Sequence, residues 1–358
     1  MLFIGLLSTQ FSLGQPATAS PTRMSRVVQS SAYSVGVTRC TFVDHTRSVP
    51  NFDTSPPSTL SHVRRLVTEI RYPTLAPLAG VVETPGAKPA QQAGGFPMIV
   101  FAHGYDVTPD TYARLLDRWV KAGFVVAAPF FPDENRAEVA AQHGVNTEDD
   151  LWNEPADLAF VTRQVLAASA TPSPSCPVVS GLVRASALAL AGHSDGATVV
   201  GMLSYAYGKD PYGVSYQTLR AGLDFRATIV MSGQEDGVDP YAPPAANPAL
   251  LVIQSAADQC NPLGHALKLY ADIHQANKWF LELRTAHHLP PFDGVDVRAF
   301  NVVVKASIRF LQITLGGSTP ASSLVAYGDV NPPVARMFYG PVTPAVAVPA
   351  TLVSCGLN

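Results

Sequence analysis

Charge is scarce in this chain. Asp, Glu, Lys and Arg make up 14% of its 358 residues, against about 25% in an average protein. The net charge of -3 supplies no electrostatic reason to hold nucleic acid or an anionic membrane surface, so a small or neutral partner is expected. Long apolar runs are missing too. No stretch reaches the roughly 18 residues that span a bilayer, which argues against stable membrane insertion. Cysteine is limited to Cys40, Cys176, Cys260 and Cys355, and none forms a C-x-x-C pair, so a metal site or dithiol redox motif is disfavoured. Four cysteines fit two disulfides made in an oxidising compartment, with three connectivities that spacing does not rank.

What the chain does have is apolar content of 47%, enough to bury one large core. Residues 1–7 are apolar and Ala17-Thr18-Ala19 resembles a signal-peptidase site, although no Lys or Arg precedes Arg23. Residues 1–30 therefore read as a signal peptide or disordered leader, and export with cleavage near Ala19 is the expectation. Residues 31–315 are expected to form one catalytic domain. Residues 316–358, rich in Pro, Gly, Ser and Ala without a period, read as a C-terminal extension.

Periodicity predicts alternating strands and helices. Residues 33–44 and 62–72 carry Val, Thr, Ile and Tyr in partial alternation and read as leading antiparallel strands. The apolar run 97–102 precedes Thr108 and Pro109, an N-cap followed by a proline at the first helical position. Tyr112, Leu115, Leu116 and Trp119 then fall on one helix face that stops at Gly123. Strands follow at 124–128, 185–191, 227–231, 250–254 and 279–283, separated by helical patterns around Leu158, after Ser194 and over 263–274; a long helix through Val297 and Leu311 closes the run. This order predicts an α/β protein: a mostly parallel central sheet with helices on both faces.

The chemistry is signalled by Gly192-His193-Ser194-Asp195-Gly196. A G-x-S-x-G placed directly behind a buried strand and in front of a helix predicts a serine on a sharp turn, its hydroxyl held out of the sheet and its flanking glycines admitting close packing. A serine hydroxyl needs a base, and the base needs a carboxylate that fixes its tautomer. In the chain order Ser, acid, His, Asp258 lies just beyond the strand ending at Gln254, and His287-His288 follows the strand 279–283. Glu235 and Asp236, one strand earlier, compete with Asp258 for the acid. Spacing does not separate His287 from His288. His193 sits beside the serine and should point away from it. For the oxyanion, the backbone N–H of Asp195 at a helix N-terminus is one expected donor and that of Tyr105, after His103-Gly104, the other.

These segments together resemble the α/β-hydrolase superfamily, and within it the dienelactone-hydrolase-like, platelet-activating-factor acetylhydrolase-like and bacterial cutinase-like polyester esterases, over residues 41–311. The resemblance is carried by Phe42-Val43-Asp44-His45-Thr46-Arg47, by Arg71-Tyr72-Pro73, by Phe101-Ala102-His103-Gly104-Tyr105, by the elbow, and by residues 282–290, Glu-Leu-Arg-Thr-Ala-His-His-Leu-Pro. It places the base at His288 and implies the α/β-hydrolase fold and carboxylic ester hydrolysis through Ser194, His288 and Asp258 without a cofactor. Ser194 stands where true dienelactone hydrolases carry cysteine, which argues against that activity. Lipid-like, short-acyl or polyester substrates fit. Acyl transfer to an alcohol would use the same residues, and a binding protein on this scaffold is the non-enzymatic rival. Phe130-Phe131-Pro132 and the tyrosine-rich segment 205–225 either shape an apolar pocket or belong to the core.

Overall fold

The computed structural model describes residues 33–51, 58–75, 83–141, 147–243, 248–275, 277–316, 321–328 and 334–341. The expected leader, its cleavage site and Cys355 lie outside them. The chain divides into Met1–Ser30 and Ser31–Asn358, and all described residues belong to the second unit.

Among the described residues ten strands make one sheet. They are β1 (Ser34–Asn51), β2 (Ser58–Thr74), β3 (Glu83–Pro85), β4 (Phe96–Ala102), β5 (Val125–Pro129), β6 (Val183–His193), β7 (Phe225–Met231), β8 (Ala249–Ser255), β9 (Lys278–Leu283) and β10 (Ala335–Tyr339), in the spatial order β10-β9-β8-β7-β6-β4-β5-β2-β1-β3. From β5 to β9 every neighbouring pair is parallel. The pairs β1–β2, β2–β5 and β9–β10 are antiparallel. All residues of β4 and β5 are buried, the burial on both faces that a continuous apolar run predicts.

The helices are α1 (Ala113–Lys121), α2 (Arg136–Ala141), α3 (Glu154–Ala170), α4 (Asp195–Tyr205), α5 (Tyr216–Arg220), α6 (Leu263–Asp272), α7 (Pro290–Asp293), α8 (Val297–Gly316) and α9 (Val325–Gly328). Side chains alternate across the sheet, so Met98, Val100 and Ala102 pack in one core with α3, α4 and α6, while Ile99 and Phe101 pack in the other with α1 and α8. The face Tyr112, Leu115, Leu116 and Trp119 is wholly buried. Trp119 Nε1 donates to Ser307 Oγ at 2.9 Å, tying α1 to α8. A 3-10 turn, Pro109–Tyr112, precedes α1, and Gly123 ends that helix region at φ 93°.

Two features that bear on the sheet went unread in the sequence. Part of the 316–358 segment joins the sheet, with β10 pairing along β9 and Tyr270 Oη donating to the Gly340 carbonyl at 2.6 Å. On β2, the buried Arg64 guanidinium grips Asp157 and Asp150 in two forked pairs of 2.6–3.0 Å. A disulfide joins Cys40 on β1 to Cys176 after α3. Among the described residues no helix is long and apolar enough to cross a membrane.

Candidate active site

Ser194 caps α4 at φ 57° and ψ -124°, a region that non-glycine residues enter only when the surroundings hold them there. Four constraints do so. The Ser194 amide donates to the Met231 carbonyl at 3.0 Å, its own carbonyl accepts from Ala197 and Thr198, and neither Gly192 nor Gly196, two residues to either side, has room for a side chain. A Cβ at Gly192 would run into the Gly196 carbonyl, and one at Gly196 into the carbonyls of Ala102 and His103. The sequence pattern thus folds as expected: strand, sharp turn, helix.

β8 and β9 run parallel to β6, so the loops that follow all three open on one edge of the sheet. There His288 Nδ1 lies 2.8 Å from Asp258 Oδ2. A carboxylate only accepts, so Nδ1 carries the proton and Nε2 is left as the basic nitrogen. Asp258 Oδ1 takes the backbone N–H groups of Cys260 and Asn261, each at 2.9 Å. Gln254 Nε2 reaches Oδ2 at 3.2 Å. Burial alone would raise the Asp258 pKa; the bond to His288, that residue's charge and the Asn261 backbone donor outweigh it and hold the carboxyl below its ordinary value.

The alternatives named from sequence separate cleanly. His288 is buried and His287 exposed. Glu235 faces His265 on α6 at 3.1 Å, and Asp236 is exposed. Asp258, Cys260 and His288 bring donor atoms within 4.8 Å of one another. Cys260 is disulfide-bonded, so its sulfur is no thiolate ligand, and the trio does not fit a metal.

The loop after β4 lies against the serine: a Cβ at Gly104 would sit 2.9 Å from Ser194 Cβ and 3.5 Å from its Oγ. Among the described residues the backbone N–H of Tyr105 donates to no protein acceptor. Its orientation follows from His103. His103 Nε2 accepts the Phe131 N–H at 3.1 Å, which leaves the proton on Nδ1, and Nδ1 donates to the Gly104 carbonyl at 2.8 Å. That carbonyl shares a planar trans peptide with the Tyr105 N–H, so fixing one aims the other in the opposite direction. Burial lowers the His103 pKa to about 4, keeping the ring neutral for this work.

The Asp195 side chain is less expected. Its Oδ2 is buried without a hydrogen-bond partner, and burial, then the Glu148 charge, lift its pKa to about 7 against a pull from His288. Glu134 and Glu154 are buried carboxyls; burial first, then neighbouring carboxylates including Asp195, pushes both well above the ordinary range. No sequence pattern marks this acidic group. Phe131 is fully buried against the His103 ring, centroids 4.7 Å apart, and Tyr205 and Tyr216 are buried as well. These aromatics belong to the core. Tyr207 and Tyr212 in the same segment are exposed.

A family model described as chlorophyllase matches residues 67–231, from β2 to the end of β7. That span holds the Gly104 loop and the elbow and ends before Asp258 and His288. No curated protein matches the sequence. A solved ferulic acid esterase from Streptomyces cinnamoneus superposes with a TM-score of 0.58, covering 86% of this chain and 95% of that one at 18% identity. The chain has the α/β-hydrolase fold. The α/β-hydrolase fold expected from the sequence is thus the fold of the chain, and the family match takes in the elbow but not the histidine loop. Of the loops that follow the six parallel strands β4 to β9 in chain order, the third, fifth and sixth carry Ser194, Asp258 and His288.

Proposed function

We propose that the protein is an exported serine esterase that cleaves carboxylic esters through an acyl-enzyme. Ser194 Oγ attacks the ester carbonyl while His288 Nε2 takes its proton, and Asp258 stabilises the imidazolium so formed. The backbone N–H groups of Tyr105 and Asp195 meet the oxyanion. Removing one such donor costs about a hundredfold to a thousandfold in rate. The imidazolium then gives its proton to the departing alkoxide. Water, deprotonated by the same nitrogen, releases the acid and restores the serine.

The observation that carries this reading is the Asp258–His288 pair at 2.8 Å on the sheet edge where Ser194 is held at φ 57°. The substrate is read as a small-molecule or polymeric ester with an apolar acyl or alcohol part; the ferulic acid esterase of the same fold is named for ester cleavage and the chlorophyllase family for an apolar pigment. Export fits the Cys40–Cys176 disulfide. Turnover of nitrophenyl esters of increasing acyl length, beside a soluble lipid and a polyester film, tests the proposal. Hydrolysis of at least one series is expected. No hydrolysis of any by folded protein would overturn it.

A further inference from the structure

We infer that Tyr112 and His193 form a positioning relay that locks the loop carrying the candidate base to the loop carrying the candidate oxyanion donor, a reading that rests on the serine-esterase proposal. The directions of its hydrogen bonds are fixed by chemistry. His193 Nε2 lies 3.1 Å from the His288 backbone carbonyl, which only accepts, so Nε2 carries the proton. A neutral imidazole then presents a lone pair at Nδ1, and the Tyr112 hydroxyl, 2.8 Å away, donates to it. The Tyr112 oxygen in turn accepts the Gly104 N–H at 3.4 Å. One unbranched chain thus runs from Gly104, beside the oxyanion loop, through α1's leading turn and the elbow to the backbone of His288.

The surroundings keep the relay in one state. Tyr112 is fully buried and His193 nearly so. Burial, with the His288 charge next, lowers the His193 pKa to about 3, so the ring stays neutral wherever an esterase base works. The His193 ring packs between the rings of His288, at 4.6 Å, and Phe292 on α7, at 4.8 Å. It touches both the main chain and the side chain of the residue proposed as base, although it immediately precedes the nucleophile and points away from it. Neither residue touches the reacting atoms. Both act by fixing where His288 and Gly104 stand, and a misplacement of about 1 Å can cost on the order of a hundredfold in rate.

Tyr112→Phe keeps the ring and removes the hydroxyl. It is expected to lower kcat by about ten- to a hundredfold with KM little changed, as removal of an outer hydrogen-bond partner does at other sites. His193→Leu should do the same, and His193→Gln, which keeps one donor and one acceptor, should recover most of the loss. Full kcat in Tyr112→Phe and in His193→Leu would overturn the relay, as would equal damage from His193→Gln and His193→Leu in variants that melt like the parent. Nitrogen-15 shifts of the His193 ring read the relay without any turnover: Nδ1 unprotonated in the parent and altered in Tyr112→Phe supports it, and a proton on Nδ1 refutes it. An esterase proposal that fails shows instead as no ester cleavage by the parent itself.

Discussion

At the scale of single residues, substitutions separate the proposed roles. Ser194→Ala and His288→Ala should each remove about four decades of turnover or more, because members of such a triad act as a unit. Asp258→Asn should leave the melting curve intact and damage the rate by a similar order through the wrong imidazole tautomer, whereas Glu235→Gln and His287→Ala, which face His265 and solvent, should turn over like the parent. Asp195 makes a pH-dependent prediction. A carboxyl whose folded pKa is raised binds its proton more tightly in the native state, so its contribution is full below about pH 4 and is lost as the pH rises through about 7. Asp195→Asn should therefore gain stability over the parent between pH 5 and pH 8, on the order of 1–3 kcal/mol. An equal difference at both pH values in denaturant melts would contradict the assignment. Residue types and chain order made Ser194, Asp258 and the histidine pair legible. The Tyr112–His193 bond was not, since its partners are 81 positions apart and periodicity records that a residue is buried without recording what it meets.

Among the elements, the elbow is the tightest. Its glycines pack backbone on backbone, so Gly192→Ala or Gly196→Ala should cost roughly 1–3 kcal/mol or more and lower activity even at temperatures where the variant remains folded; a variant with parental melting and turnover would show that the turn has room. The buried strands β4 to β9 and the helices α1, α3, α4, α6 and α8 were legible because each has a period or a continuous apolar run longer than its turns. β10 was not. Its five residues follow a Pro- and Gly-rich stretch, and their alternation of buried and exposed positions is too short to stand out from a tail. β3, with three residues, and the short helices α2, α5 and α7 escape for the same reason. Because β10 covers the outer edge of β9, truncation after Gly316 should expose unpaired strand backbone and produce aggregation in light scattering; a monodisperse truncated protein would refute that role.

For the molecule as a whole, stability rests on two cores either side of one sheet and on a disulfide that spans 136 residues. Closing a loop of that length removes roughly 5 kcal/mol of unfolded-state entropy in the chain-entropy picture, so Cys40→Ser should lower the thermal midpoint by several degrees while leaving the rate at low temperature unchanged. The proposed function, by contrast, depends on loops after three strands meeting at one edge, and that convergence is tested most directly by mapping where a fluorophosphonate attaches. A single adduct is expected, on Ser194, formed orders of magnitude more slowly in His288→Ala. An adduct on another residue, or labelling of Ser194 at the parental rate without His288, would contradict it.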